Sequence, residues 1–265
     1  MSDSILTFEN IDKSFFGVRV LKNINLSLPR GQVMGLVGEN GAGKSTLMNL
    51  VGGVVPPDGG QMLLDGQPYA PRTPGDANDA GVAFIHQELN LFTNLSIAEN
   101  IFINGFPRVS WLPMLNRSAM RGKTKQYLDA VDLQVSPDTL VEKLSPGERQ
   151  LAEIAKALSF SAKLIIFDEP TTSLTARETE RLFTLIDRLR SDGASIVYIS
   201  HILGDVMRLA DEIAVLRDGE LMGVVWHEQL ADGRGRVAPV GVAPAHLPLG
   251  HGRRLLLAAL HNLRR

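Results

Sequence analysis

The nine residues Gly38-Glu39-Asn40-Gly41-Ala42-Gly43-Lys44-Ser45-Thr46 decide how this chain is expected to fold. They follow the apolar run 32–37, which predicts a buried strand, and they precede the run 47–50, which predicts the start of a helix. A glycine-rich loop that ends in Lys-Ser between a strand and a helix is typical of a phosphate-binding loop. The alternative is an ordinary glycine-rich turn. The loop and both flanking segments together favour a phosphate-binding loop instead.

Each part of this loop has a role in phosphate binding. Gly41 and Gly43 let backbone N–H groups converge on phosphate oxygens, and the following helix adds partial positive charge at its N-terminus. Lys44 is expected to reach the β- and γ-phosphates, and the Ser45 hydroxyl is expected to bind Mg²⁺. The loop therefore predicts that the chain binds a nucleoside triphosphate.

Composition limits the other functions that need to be considered. The chain has 265 residues, of which 44% are hydrophobic and 21% are charged, as in ordinary globular proteins. It has no cysteine, which excludes disulfides, cysteine nucleophiles and thiolate metal sites. A net charge of −2 leaves no basic footprint, so no nucleic-acid partner is expected. There is no apolar run near the ~20 residues of a membrane span and no signal peptide, which favours the cytoplasm.

The remaining pattern predicts an α/β fold with two layers of strands. Residues 5–11, 20–28 and 61–65 predict an antiparallel layer, and residues 71–80 predict a polar turn region. Residues 96–160 predict a helical insertion, in which Ser96 and Glu99 resemble a capping box. Buried strands that alternate with helical segments predict a mostly parallel sheet, and they lie at 82–87, 164–167, 195–199 and 213–216.

Polar residues lie at or just after the carboxyl ends of three of these buried strands. They are Gln87, the pair Asp168-Glu169, and His201. Ligands of parallel sheets lie at the carboxyl ends of the strands, so these side chains are expected near the phosphate loop. A carboxylate at such a strand end can hold Mg²⁺ through water, and its neighbour Glu169 can polarise the attacking water as a general base. The alternative for the acid pair is a solvated turn.

With these motifs in order, the chain resembles an ABC-transporter ATPase domain from residue 5 to about residue 223. The resemblance implies a P-loop NTPase fold with a mostly parallel core sheet, an antiparallel β subdomain and a helical subdomain at about 88–160, within a domain 1–225. The matching motifs are Walker A at Gly38 to Ser45, the Q-loop at Gln87, the signature at Leu144-Ser145-Pro146-Gly147-Glu148, Walker B at Leu164 to Glu169, the D-loop at Thr172-Ser173-Leu174-Thr175 and the switch histidine at His201.

Finer features resemble one subfamily, the importer ATPases for ribose, galactose, xylose and related monosaccharides. They are the segment 85–91, the segment 153–158 and a threonine at position 175 in place of the usual D-loop aspartate. The chain is most similar to the N-terminal half of the ribose type. Members of that subfamily carry two ATPase halves in one longer chain, and no second half is present in these 265 residues.

The resemblance implies a role for each site residue. Residues 38–46 would hold ATP, with Mg²⁺ at Ser45, Gln87 and Asp168. Glu169 would position the water and His201 would contact the γ-phosphate. Ser145 and Gly147 would serve the ATP of a second ATPase domain packed head to tail. Phe15 would stack on adenine, although Phe16 could take that role.

The same resemblance implies partners and a location. A second ABC ATPase domain, either another copy or a paralogous half, would complete each site. Residues around 88–110 would meet the membrane permease subunits of a sugar importer. The chain would then be peripheral, on the cytoplasmic face of the inner membrane. Two alternatives stay open: a soluble ABC ATPase outside transport, and an orphan domain that binds ATP without hydrolysing it.

Two departures from the family pattern bear on these expectations. Pro146 and Glu148 stand where the signature usually has Gly and Gln, although Ser145 and Gly147 are kept; an acid there could weaken phosphate binding. In addition, residues 226–265 resemble nothing in the family. They carry six arginines, no lysine and two acids, so residues 1–225 have a net charge of −6. This atypical tail is interpreted as out-of-frame or disordered sequence, or as a genuine tail ending in a basic helix at 253–265.

Overall fold

The computed structural model describes residues 3–86, 90–103, 105, 116–160, 162–229 and 235–242. In chain order, the strands are β1 (Ser4–Phe15), β2 (Val18–Pro29), β3 (Val33–Val37), β4 (Gly59–Leu64), β5 (Gln67–Tyr69), β6 (Val82–Ile85), β7 (Leu164–Asp168), β8 (Ser195–Ile199), β9 (Glu212–Arg217), β10 (Glu220–Gln229) and β11 (Gly235–Val242). The helices are α1 (Lys44–Val51), α2 (Pro74–Asp79), α3 (Ile97–Ile101), α4 (Arg117–Ala130), α5 (Pro146–Leu158), α6 (Ala176–Ser191) and α7 (Leu203–Leu209), with a 3₁₀ turn at Val141–Lys143.

Two sheets form the framework. A four-stranded antiparallel sheet has the order β2-β1-β4-β5, and a seven-stranded sheet has the order β11-β10-β9-β3-β8-β7-β6. The strands from β9 to β6 are parallel, and β10 and β11 add antiparallel pairs at one edge. The predicted α/β fold with a mostly parallel core sheet and an antiparallel layer is confirmed.

The central strands of the large sheet are buried on both faces, which explains why they are almost wholly apolar. Every residue of β3 and β8 is buried. Alternate residues of β7 enter two different cores: Ile165 and Phe167 pack with residues of α5 and α6, whereas Leu164 and Ile166 pack with residues of α1 and the antiparallel sheet. The sheet is therefore fixed from both sides, and so are the loops at its carboxyl edge.

The strand order brings three loops together. Strand β8 pairs with β3 on one side and with β7 on the other. The loop after β3 is the phosphate loop, the loop after β7 carries the acid pair, and the loop after β8 carries the histidine. Because parallel strands end at the same edge, the site residues predicted on these three loops lie close together there.

Local expectations were met unevenly. The helical insertion is present as α3, α4 and α5, and the capping box is formed, with Glu99 N–H donating to Ser96 Oγ at 3.2 Å and Ser96 N–H to Glu99 Oε2 at 2.8 Å. The prediction of a polar turn at 71–80 was wrong, because Pro74–Asp79 form the helix α2. The capping-box pair Thr73 and Asp76, with Pro74 in the first turn, indicates a helix start in the sequence. The polar composition of the segment favoured a turn instead.

The expected domain boundary at residue 225 falls inside β10, which runs from Glu220 to Gln229. Strand β11, within the atypical tail, pairs antiparallel with β10. Residues 230–234 and 243–265, including the basic segment 253–265, lie outside the described residues, and the origin of the tail stays a prediction. Among the described residues, no helix has the length and apolar character to cross a membrane.

Candidate active site

The phosphate loop is held tightly where it leaves β3. Gly38 lies against the neighbouring strand β9, and a Cβ at this position would come within 2.4 Å of the Leu216 carbonyl oxygen. Gly43 has φ +103°, and a Cβ there would lie 2.8 Å from Leu21 Cδ2 in β2. Only glycine fits both constraints, so the backbone of the loop is fixed by its packing. The predicted order of strand, loop and helix is confirmed.

Helix α1 begins without a side-chain cap. Its N-cap is Gly43, which offers no side-chain acceptor, and no acid lies in its first turn. By contrast, α2, α3, α5 and α6 each begin with a capping box in which a carboxylate accepts backbone N–H groups. The first N–H groups of a helix have no acceptor inside it. In α1 these groups, together with the exposed Ser45, suit an anionic ligand.

Lys44 is buried at the base of this loop. Its Nζ donates to the carbonyl oxygens of Gly38 at 2.7 Å and Glu39 at 3.1 Å. Burial lowers the pKa of Lys44, and the nearby carboxylates of Glu169 and Asp168 partly oppose that effect. The loop thus carries a desolvated cation that faces the acid pair. Glu39 and Asn40 are exposed beside it, whereas Ala42 is buried and Thr46 is half-buried.

Asp168 is the last residue of β7, and Glu169 follows it. Burial raises the pKa of Asp168, with a further increase from Glu169 and an opposing effect from Lys44. Glu169 has φ +47°, which is uncommon for a residue with a side chain. Its N–H donates to the Ile199 carbonyl at 3.0 Å, so β8 fixes the backbone from which this carboxylate projects.

His201 completes the group from the loop after β8. Its Nδ1 lies 3.1 Å from Glu169 Oε2, with the histidine side chain 51% exposed and the glutamate side chain 16% exposed. The structure therefore brings together four predicted residues, Lys44, Asp168, Glu169 and His201. The fifth, Gln87, lies outside the described residues; strand β6, which leads to it, is the neighbour of β7.

Phe15 and Phe16 lie at the tip of the β1–β2 hairpin. Phe15 pairs with Val18, two residues before Val20. The Val20 carbonyl oxygen is 3.1 Å from where a Cβ of Gly43 would be. Since a strand rises about 3.3 Å per residue, the hairpin tip is close to the phosphate loop. This position suits a contact with the base of a bound nucleotide.

The signature residues lie at the N-terminus of α5. Ser145 is the N-cap: its Oγ accepts the Glu148 N–H at 3.3 Å, and Glu148 Oε2 accepts the Ser145 N–H at 2.8 Å. The unusual Glu148 thus completes a capping box. Gly147 is buried against Glu178 of α6, since a Cβ on Gly147 would come within 2.1 Å of Glu178 Oε1.

Two relationships near the site were missed by sequence reasoning. Asp205 of α7 accepts a hydrogen bond from Thr171 Oγ1 at 2.8 Å and one from Tyr198 OH at 3.4 Å, which ties the loop after Glu169 to the helix after His201. Glu178 lies against Gly147 from a different helix. No sequence motif marks either relationship, because each depends on how distant segments of the chain pack.

Comparisons with known proteins show what this chain is similar to. The family model described as ABC transporter matches residues 21–172. A putative ribose/galactose/methyl galactoside import ATP-binding protein from Pseudomonas syringae pv. tomato is 46% identical over 83% of this chain and 42% of its own length. A ribose import ATP-binding protein from Rhodopirellula baltica is 42% identical over 86% of this chain and 45% of its own. An arabinose import ATP-binding protein from Mannheimia succiniciproducens is 44% identical over 82% and 43%. This chain therefore spans less than half the length of these curated relatives.

Solved structures show the same fold. A nucleotide-free ATP-binding cassette from an ABC transporter superposes with a TM-score of 0.76 and 25% identity, over 85% of this chain and 92% of that one. A bacterial ABC transporter cassette solved as a dimer superposes with a TM-score of 0.72 and 25% identity, over 83% and 97%. The described architecture is thus that of an ATP-binding cassette.

Proposed function

This chain belongs to the ABC transporter family, and from that premise we propose that it binds and hydrolyses ATP to energise the import of a monosaccharide. The observation that carries the proposal is the gathering of Lys44, Asp168, Glu169 and His201 at the carboxyl ends of three adjacent strands. The relatives named above support sugar import. They serve different sugars, so the proposal extends to a monosaccharide and not to a particular one.

The residues of the site fit a Mg²⁺-bound triphosphate. Lys44, the uncapped N-terminus of α1 and the backbone of 38–46 offer positive charge and N–H donors, while Ser45 and Asp168 offer the oxygen ligands that Mg²⁺ prefers. Gln87 is proposed as a further ligand to the metal. Bound Mg²⁺ would neutralise charge on the β- and γ-phosphates. The two carboxylates of the acid pair would repel a polyanion, and a bound Mg²⁺ would offset that repulsion.

Hydrolysis needs a positioned water. We assign its general base to Glu169, whose backbone is held by Ile199 and whose carboxylate is contacted by His201. His201, with half of its side chain exposed, is assigned to the γ-phosphate. Phe15 is assigned to the adenine ring.

The other half of each site is assigned to a second ATPase domain. Ser145 and Gly147 stand at the N-terminus of α5, where the Ser145 hydroxyl accepts from Glu148 and keeps its own proton for donation. The Glu148 carboxylate accepts a hydrogen bond from the Ser145 N–H, so its negative charge is directed toward its own helix. The proposed partner is a second copy or a paralogous half. Permease subunits, met by the region 88–110, would place the chain on the cytoplasmic face of the inner membrane.

The test is the Mg-ATPase rate measured against protein concentration. Turnover that rises faster than linearly and falls about 10²- to 10⁴-fold in Glu169→Gln supports the proposal. Glu180→Gln, the same change at an exposed position on α6, is the matched control and should leave the rate unchanged. ATP binding without turnover at any concentration would favour the orphan-domain alternative, and no ATP binding would refute both.

A further inference from the structure

The two aromatic candidates for the base lie in different environments. Phe16 and Gly17 form the two-residue turn of the hairpin, with φ +50° and +82°. The Phe16 side chain is fully exposed, at 107% of its reference area. Phe15 is the last residue of β1 and is 37% exposed. A stacking platform needs a ring with one fixed orientation, and this favours Phe15.

A buried cation lies over the Phe15 ring. Lys13 Nζ is 5.3 Å from the ring centroid, and the Lys13 side chain is 9% exposed. An ammonium group within about 6 Å of an aromatic face is attracted by the ring electrons. One face of Phe15 is thus occupied by Lys13, while the ring keeps exposed surface for another planar group.

Asp58 holds this arrangement in place. Its Oδ1 accepts from Lys13 Nζ at 2.7 Å, and its Oδ2 accepts from the Ser14 N–H at 2.6 Å. Asp58 N–H in turn donates to the Asp12 carbonyl at 2.9 Å. The carboxylate therefore binds both the lysine and the backbone next to Phe15. These bonds, that from Lys13 above all, lower the pKa of Asp58.

We propose that Lys13 and Asp58 are positioning residues for the nucleotide base: they fix the Phe15 ring so that its free face stacks on a purine near the phosphate loop. The inference rests on the proposed function, because it presumes that a nucleotide occupies residues 38–46. It adds residues that do not touch the nucleotide themselves. Their effect must therefore depend on the base and on Phe15.

The experiment compares the affinity for Mg-ATP with that for Mg-tripolyphosphate, which has no base. In Lys13→Met, ATP affinity should fall about two- to fivefold, because the Phe15 ring is no longer held in place and must be ordered when the base binds, while tripolyphosphate affinity is unchanged. Lys13→Arg should restore ATP affinity. In a Phe15→Leu background, Lys13→Met should have no further effect. Phe16→Leu is the matched control and should leave both affinities unchanged.

Several outcomes would overturn the inference. Equal losses of affinity for ATP and tripolyphosphate would show that Lys13 acts on the fold as a whole. Additive losses of ATP affinity in the double variant would show that Lys13 acts independently of Phe15. Asp58→Asn, which conserves size, gives a second measurement if Lys13→Met unfolds. It should also lower the affinity for ATP and leave the affinity for tripolyphosphate unchanged. If the wild-type chain binds ATP and these variants change nothing, only this inference fails. If the wild type binds neither probe, the proposed function fails with it.

Discussion

His201 Nδ1 and Glu169 Oε2 lie 3.1 Å apart, although their residues belong to loops after different strands. The glutamate is fixed by its backbone, with φ +47° and an N–H bonded to Ile199. The histidine is more exposed and comes from the adjacent loop. At this distance the imidazole contacts the carboxylate and restricts the positions that it can take. The orientation of the proposed general base therefore depends on the second loop.

His201→Ala should lower ATP turnover about 10²-fold, because a misplaced base loses the geometry of attack. ATP affinity should change less, since Lys44 and the phosphate loop still hold the phosphates and only the proposed contact of His201 with the γ-phosphate is lost. Steady-state hydrolysis and equilibrium binding measure the two effects. Ile202→Ala, a neighbouring exposed side chain, is the control. Equal losses of binding and turnover would argue against an orienting role.

Phe16→Asn should stabilise the protein by roughly 0.5–1 kcal/mol. Positive φ at both turn residues is the geometry in which Asn-Gly is preferred and a bulky residue is strained. Urea unfolding measures the gain, and ATP affinity should be unchanged. Gly17→Ala, at φ +82°, should lower stability instead. An unaltered unfolding midpoint in Phe16→Asn would mean that the turn carries no strain.

Gly147→Ala should be destabilising relative to a matched Gly→Ala change. Its new Cβ would displace the Glu178 carboxylate, which accepts from the Thr175 N–H at 2.8 Å and from Thr175 Oγ1 at 2.7 Å. Gly122 in α4 has no atom of the described residues within 4 Å of its Cβ position, so Gly122→Ala should gain helix stability. Chemical unfolding should separate the two variants by about 1–2 kcal/mol. Equal stabilities would mean that Glu178 moves aside freely.

The stability of the Glu153→Gln variant relative to the wild type should increase as pH rises. Glu153 is 4% exposed and lines a cavity of about 220 Å³ with His86 and Lys156, and its Oε2 has no hydrogen-bond partner among the described residues. Burial raises its pKa, with Lys156 opposing. The folded chain thus holds a proton that the unfolded chain releases, and wild-type stability falls as pH rises from the usual glutamate value through the folded one.

The measurement for Glu153 is the difference in unfolding free energy between the variant and the wild type at about pH 4 and about pH 8. The difference should favour the glutamine more at the higher pH. Glu142→Gln, at an exposed position, should show no such trend. A constant difference across this range would mean that Glu153 titrates alike in both states.

Sequence patterns predicted the parts of the site that depend on local chemistry. The phosphate loop could be identified because its glycines, Lys44 and Ser45 are contiguous, and the acid pair because it follows an apolar strand. The meeting of Lys44 with Asp168 could be expected from parallel topology alone. In each case a short stretch of chain already contains the physical constraint.

Other features could not be derived in this way. The contact of Gly147 with Glu178 and the bonds of Asp205 depend on how α5, α6 and α7 pack, which no local pattern encodes. Helix α2 was missed because a six-residue helix with one buried side chain, Ala77, has too few turns to show a period. The choice between Phe15 and Phe16 depended on the backbone of the turn.

Three of the four capping boxes have a consequence for where a polyanion can bind. At the N-termini of α2, α3 and α6 a carboxylate of the protein is already present, so an incoming phosphate would have to compete with a tethered anion. Helix α1 has no such internal competitor. These three helix ends are therefore less favourable for a phosphate than the start of α1, and removing a capping acid, as in Glu178→Ala, would remove that competition at α6.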